Sequence, residues 1–536
     1  MTDFANFKKR NKTGLHIERD KLEDDIEIQK LDRILVIGLL MLLLLMPLLV
    51  GMRVIEFTSP LVTGTKMDTG LKTDFFTYYK YIVLLFGTFI LALIFLYKVF
   101  MLGYQIPKSK INIFLGILLI TIMLSSTFSE YKTLALYGMF DRHEGTITYI
   151  CYLILLFIAI NINFSSRQLL SNIYILIPFI IVNTILGLIS FFGIDILSTE
   201  LGKKLLSIGI PEGVKVAEGS KLASTLGNGN YVSGVSSMLL VIFTVLAIIE
   251  KEIKKQIIFI ISSILSFVLM LTSFASSGFV TVVLFLPLFV VGVFKTKNKK
   301  KYIGSSVIIF ILFATIFIPM ANYQPRVWDE TVGFFFKNNP FTKEKVGINI
   351  SASLNEEVVE RNVFNNRIER TAFAEENINY SFPELPEAGV AAGTGRAYIW
   401  AKSLELIGVK PFLGYGLDTF SYHFDQNDPQ KHANLAEGYS VVVDKPHNIF
   451  INIAYGSGLI SLFAFLGLVS FILFNTIKKR TQLNPYLIAL IFGILAYLIQ
   501  GLFNDSVIGT SILFWVFLGI AGSSIIARKD LGGKTQ

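Results

Sequence analysis

QIIFIISSILSFVLMLTSF, residues 256–274, is followed by Ala275-Ser276-Ser277 and then by GFVTVVLFLPLFVVGVF, residues 278–294. Neither run carries an Asp, Glu, Lys or Arg. Each is long enough to cross a hydrocarbon core about 30 Å thick as a helix. In lipid the backbone must satisfy its own polar groups, which favours a helix for an unbroken apolar run. A three-residue linker leaves room only for a tight hairpin. This pair sets the fold class: a helical protein threaded through a bilayer.

Working outward, comparable runs occupy 34–52, 80–101, 111–127, 146–162, 171–193, 231–250, 303–320, 448–476, 485–502 and 507–527. The chain therefore reads as an all-α polytopic membrane protein with about twelve transmembrane helices. Its composition agrees. Of 536 residues, 53% are hydrophobic and 16% charged, against about 25% charged in soluble domains. A lone cysteine, Cys151, excludes an intrachain disulfide or a thiolate zinc site. The formal charge of +9 does not indicate nucleic acid. The basic clusters adjoin apolar runs and lack interleaved aromatics.

Those clusters set orientation. Lys108 and Lys110, Arg167, Lys251 with Lys254 and Lys255, Lys295 to Lys301, Lys478 to Arg480, and Arg528 with Lys529 all fall on one side of a twelve-span chain. Both termini are then cytosolic, and the long loop is expected outside. The expected organisation is a charged tail at 1–33, a membrane domain at 34–320, a large extracytoplasmic loop domain at 321–447 between spans nine and ten, a second membrane portion at 448–527, and a short tail at 528–536. A loop of about 125 residues is far longer than a simple connection, and function is the default reading.

The polar motifs gather on the outside. Arg396 opens an amphipathic helix whose apolar face is Ile399, Trp400, Leu404 and Ile407. At a helix start, its guanidinium and the free N–H groups suit an anion, although a solvated surface arginine reads the same way. Pro411-Phe-Leu-Gly-Tyr415-Gly-Leu-Asp418 is a turn in which backbone approaches something closely, either the scaffold or a substrate. Pro446-His447-Asn448 begins an apolar helix broken by Gly456 and Gly458. The dipole there disfavours imidazolium, so His447 is expected neutral near pH 7. A neutral ring can accept a proton, or the histidine can simply cap the helix. Gly138 to Gly145 places Asp141, Arg142, His143 and Glu144 before a span. Arg142 could grip phosphate or anchor the interface. Lys221 to Tyr231 is rich in small polar residues, with Asn230 or Ser224 as candidate helix caps. Asp425 and Asp428 lack metal-ligand spacing.

In this order the motifs resemble the bacterial O-antigen ligase and polymerase superfamily, which includes the O-linked oligosaccharyltransferases. The shared elements are the early loop arginine, Gly-Asn-x-Asn-Tyr before a span, Gly-Arg-x-x-x-Trp and Pro-Phe-Leu-Gly-Tyr-Gly in the long loop, and His-Asn entering a Gly-broken helix. They extend over roughly 110–525. The resemblance implies a GT-C-like fold and transfer of a glycan from undecaprenyl diphosphate, with no metal or other cofactor. It implies that Arg396 holds the diphosphate and that His447 is its partner or the general base. Arg142 and Lys221 take the places of further cations. Asn228, Asn230, Tyr415 and Asn448 complete the substrate-facing set. One departure stands out: where relatives carry Ser-Arg-Gly, this chain has Ser276-Ser277-Gly278.

The implied partners are a lipid-linked glycan donor, a glycan or protein acceptor, the bilayer, and other glycan-assembly proteins. Two rival readings are a flippase or exporter and a non-enzymatic assembly partner. The nearly charge-free spans weigh against a conduit, which would bury polar groups along its path.

Overall fold

The computed structural model describes residues 21–57, 69–194, 196, 199, 223–294, 299–336, 338–342, 385–389, 394–435, 442–478 and 483–526. Lys221, residues 343–384 and the two tail ends lie outside these segments. The protein is an all-α polytopic membrane protein with a small ribbon. Among the described residues, eight helices are long and apolar enough to cross a membrane, and four shorter apolar helices accompany them.

In chain order, α1 (Lys21–Leu48) precedes a ribbon of β1 (Arg53–Phe57) and β2 (Gly70–Asp74). The strands are antiparallel, with Arg53 opposite Asp74 and Phe57 opposite Gly70. This ribbon was not anticipated, because each strand is only five residues long. Next come α2 (Tyr78–Phe100), α3 (Lys110–Phe128), the short α4 (Lys132–Tyr137), α5 (Thr146–Ile160), α6 (Ser166–Tyr174) and α7 (Ile177–Phe191). The apolar hairpin forms α9 (Ile253–Thr272) and α10 (Ser276–Phe294), preceded by α8 (Gly229–Ile249). After α11 (Lys299–Tyr323) and α12 (Arg326–Asp329), the long loop contributes α13 (Arg396–Val409), α14 (Phe420–His423) and α15 (Pro429–Asn434). The chain closes with α16 (Ile449–Lys478), α17 (Pro485–Gln500) and α18 (Ile508–Ser523).

Burial ranks these helices. The apolar window of α8 is 89% buried and that of α11 only 6%, so α8 is an axis and α11 a peripheral strut. Around α8 pack α9, α10 and α17, and around α18 pack α5, α1, α16 and α17. Helix α17 thus joins two halves. Asn228 caps α8 by accepting the Asn230 N–H at 2.8 Å, where Asn230 or Ser224 was expected to do so.

Helix α16 is not continuous. Gly458 has φ +85 and ψ 168, which breaks the helical path. The Pro411–Gly416 turn fills the break. Tyr415 N–H donates to Tyr455 O and Gly416 N–H to Gly456 O, both at 2.9 Å, while Leu459 N–H donates to Pro411 O at 2.7 Å. A Cβ on Gly458 would lie 1.9 Å from Phe412 O, and one on Gly414 2.3 Å from Tyr455 O. A non-helical backbone is tolerated at membrane depth only where protein satisfies it. The turn's close-approach partner is therefore the scaffold itself.

Candidate active site

The 444–449 segment is anchored residue by residue. Asp444 accepts from Arg142 Nη1 at 2.5 Å. Lys445 Nζ reaches Ser506 O at 3.4 Å. Trp400 Nε1 donates to Pro446 O at 2.8 Å, pinning α13 above the segment. His447 Nδ1 lies 2.7 Å from Asp505 Oδ2. Asn448 Nδ2 donates to Leu502 O at 3.0 Å, while its Oδ1 accepts the Phe450 and Ile451 N–H groups. Ile449 N–H donates to Gly501 O at 2.8 Å. The 501–506 loop therefore forms the floor of the site, with α13 over it.

His447 stands outside the helix, in the left-handed region at φ +52. Its side chain is 40% exposed, whereas that of Asp505 is 1% exposed. The carboxylate holds Nδ1 from beneath, and Nε2 is left for chemistry. The influence expected of the helix dipole on this ring is outweighed by Asp505. Burial would lower the imidazole, but the charge and hydrogen bond of Asp505, with Asp444 nearby, raise it above its ordinary value. Asp505 shifts in the matching direction. Burial would raise its carboxyl, and the charge and hydrogen bond of His447 bring it below the usual range. Asn448, not His447, caps the helix.

Arg396 is the first residue of α13. Its guanidinium makes no ion pair or hydrogen bond among the described residues. Burial lowers its pKa, opposed by Asp505, and its own charge acts on His447. A half-buried cation without a counter-ion, beside a carboxylate–histidine pair, is poised for an anion. The helix itself differs in part from its expected face: Ile399 and Ile407 are buried, but Leu404 is 59% exposed.

Arg142 is placed differently. It donates from Nε to Asp418 Oδ1 at 2.9 Å and from Nη1 to Asp444. Asp418 also accepts the Met139 N–H at 2.6 Å. Arg142 thus ties the loop before α5 to two points in the second half of the long loop, and two carboxylates already balance its charge. Behind it, Glu144 accepts from Ser506 Oγ and from Tyr152 Oη at 3.2 Å. Burial raises the Glu144 carboxyl against the opposing charge of Lys445.

Of the other expected contacts, Asn228 Oδ1 is used as the cap of α8, and Asn230 O accepts from Asn504 Nδ2 at 3.2 Å. Tyr415 is buried and stacked on Tyr455, with ring centroids 5.0 Å apart. Ser277, at the departure point, accepts from Asn504 Nδ2 at 3.1 Å. The structure therefore brings Arg396, His447 and Asn448 together and ties Arg142 in from one side. It places Tyr415 in packing. Sequence reasoning missed Asp505, Asp444 and Lys445, and named Glu144 only as one of the polar residues before a span. The available signal for Asp505 was its isolation, as the only charged residue between the apolar runs 485–502 and 507–527.

Among the described residues, no group of three or more His, Cys, Asp or Glu side chains is arranged to hold a metal ion. No curated protein matches the chain. Residues 261–466 match the family model described as O-Antigen ligase. That stretch contains Arg396, Asp418, Asp444 and His447, so the cluster's long-loop residues lie in the part of the chain that is similar to the O-antigen ligases.

Proposed function

We propose that the protein transfers a glycan from a polyprenyl-diphosphate donor to an acceptor hydroxyl on the outer face of the bacterial plasma membrane. The observation that carries this reading is the His447–Asp505 pair, with Nε2 open and the unpaired Arg396 beside it. The ring tautomer with Nδ1–H donated to Asp505 leaves a lone pair on Nε2. That nitrogen takes the acceptor's hydroxyl proton as its oxygen bonds to the anomeric carbon. The bond from that carbon to the diphosphate oxygen breaks, and the diphosphate leaves as an anion held by Arg396. A general base contributes typically about 10²–10⁴-fold. A charge-assisted hydrogen bond to the leaving group contributes roughly 1.5–3 kcal/mol. Electrostatic stabilisation aimed at developing charge suits this chemistry.

The membrane arrangement supports the reading. A lipid-linked donor needs a site at the end of an apolar bundle, and α13 is tied to the His447 segment there through Trp400. The direct test is purified full-length protein in nanodiscs with a radiolabelled undecaprenyl-diphosphate oligosaccharide and membrane extract as the acceptor source. Consumption of donor with label moving to a new carrier is expected. Persistent absence of transfer, with donor bound, points instead to the non-enzymatic role.

A further inference from the structure

A cavity of about 120 Å³ lies away from the His447 cluster, between the ends of α7, α8 and α9. Its polar lining comes from Ser190, Ser224, Asn228, Thr272 and Ser273, and Phe274, whose ring is stacked on Phe191 with centroids 5.8 Å apart, closes one side. Among the described residues, no charged side chain lines it. An apolar cavity of about 150 Å³ accepts a single benzene ring, so this one is on the scale of one ring.

The hydrogen-bonding capacity is mixed in a particular way. Ser273 Oγ donates to Met270 O at 2.6 Å and Thr272 Oγ1 to Leu269 O at 3.1 Å, so both oxygens keep lone pairs to accept. Ser224 Oγ accepts the Leu226 N–H at 3.2 Å, so its own hydroxyl proton remains to donate. Asn228 uses its oxygen on the helix cap and keeps its amide N–H groups. Gly227 and Asn228 are exposed and Ser224 is buried, so the cavity runs inward from an open mouth. Two acceptors, two donors and no charged side chain among the described residues match a neutral polyol ring.

The cavity is coupled to the active site by a short path. Asn230, two residues beyond the mouth, accepts from Asn504, and Asn504 precedes the Asp505 that holds His447. We propose that this cavity is a saccharide subsite that takes one neutral sugar ring of the glycan being handled. It rests on the glycan-transfer reading for its role, but its occupancy is measurable without transfer.

The experiment uses full-length protein in nanodiscs and saturation-transfer NMR with methyl glycosides of neutral hexoses and N-acetylhexosamines. At least one glycoside is expected to saturate, to compete with its own free sugar, and to lose its signal in Ser190→Phe, which fills the cavity. Ser190→Ala should bind as the parent does. Asn228→Ala, which removes a donor, should weaken binding about fivefold, as for one hydrogen bond, and stands in if Ser190→Phe fails to fold. A His447→Ala protein that has lost transfer should still bind. Absence of saturation by every glycoside, or equal signal from the parent and the Ser190→Phe protein, overturns the subsite and leaves the transfer reading standing. Loss of transfer activity in the parent with glycoside binding intact would overturn that reading alone.

Discussion

At the scale of single residues, the site depends on which charges are already spent. Arg142 is spent: it is buried against Asp418 and Asp444. Removing one partner of a buried pair costs about 3–5 kcal/mol, so Arg142→Ala should lower thermal stability sharply in a detergent melt. Arg396 is unspent. Arg396→Ala should leave the melt nearly unchanged and reduce transfer about 10–100-fold, the loss of one charge-assisted bond. Asp505 acts through His447. Because the folded pKa of His447 is raised, a reaction needing its neutral form fades as pH falls through that raised value. Asp505→Asn should lower the maximal rate and move the acid limb of the pH–rate profile to lower pH. The linkage has the opposite slope for stability. Stability from the raised histidine is fully present below about pH 6.5 and lost as pH rises through the folded value, which melts across this range will show. Arg396 and His447 were legible in the sequence because an isolated cation and an imidazole at helix starts are uncommon on an apolar chain. Asp418 and Asp444 were not legible as partners of Arg142, since pairing across 276 and 302 residues leaves no local pattern.

At the scale of elements, the broken α16 and the Pro411–Gly416 turn are one unit. Each supplies the hydrogen bonds the other lacks. The two glycine motifs were visible separately in the sequence, as a turn and a helix break. That they interlock was not, because close backbone approach has no signature beyond the glycines themselves. Gly458→Ala must displace Phe412 O and hold an L-residue at φ +85. Strain of this kind costs of order 1–3 kcal/mol and the contact adds to it. The variant should melt several degrees lower and lose transfer, because the turn also carries Asp418. Tyr415→Phe keeps the stack on Tyr455 and should transfer at nearly the parental rate, as expected of a packing residue.

At the scale of the whole molecule, apolar runs and basic loops made the helical membrane fold legible at once. The ribbon β1–β2 was hidden by its shortness. The proposed twelve-crossing arrangement puts Glu405 outside and Glu252 inside. In a Cys151→Ser background, a membrane-impermeant maleimide should label Glu405→Cys in intact cells and Glu252→Cys only after permeabilisation. The reverse pattern would invert the orientation. All of these features serve one claim, that this bundle presents His447 as the base of glycan transfer. Single-turnover transfer of a labelled undecaprenyl-diphosphate oligosaccharide by parental and His447→Ala protein tests it most directly. The account predicts that the variant melts as a folded protein, binds donor, and transfers at least about 100-fold more slowly. Transfer by His447→Ala at the parental rate would contradict it.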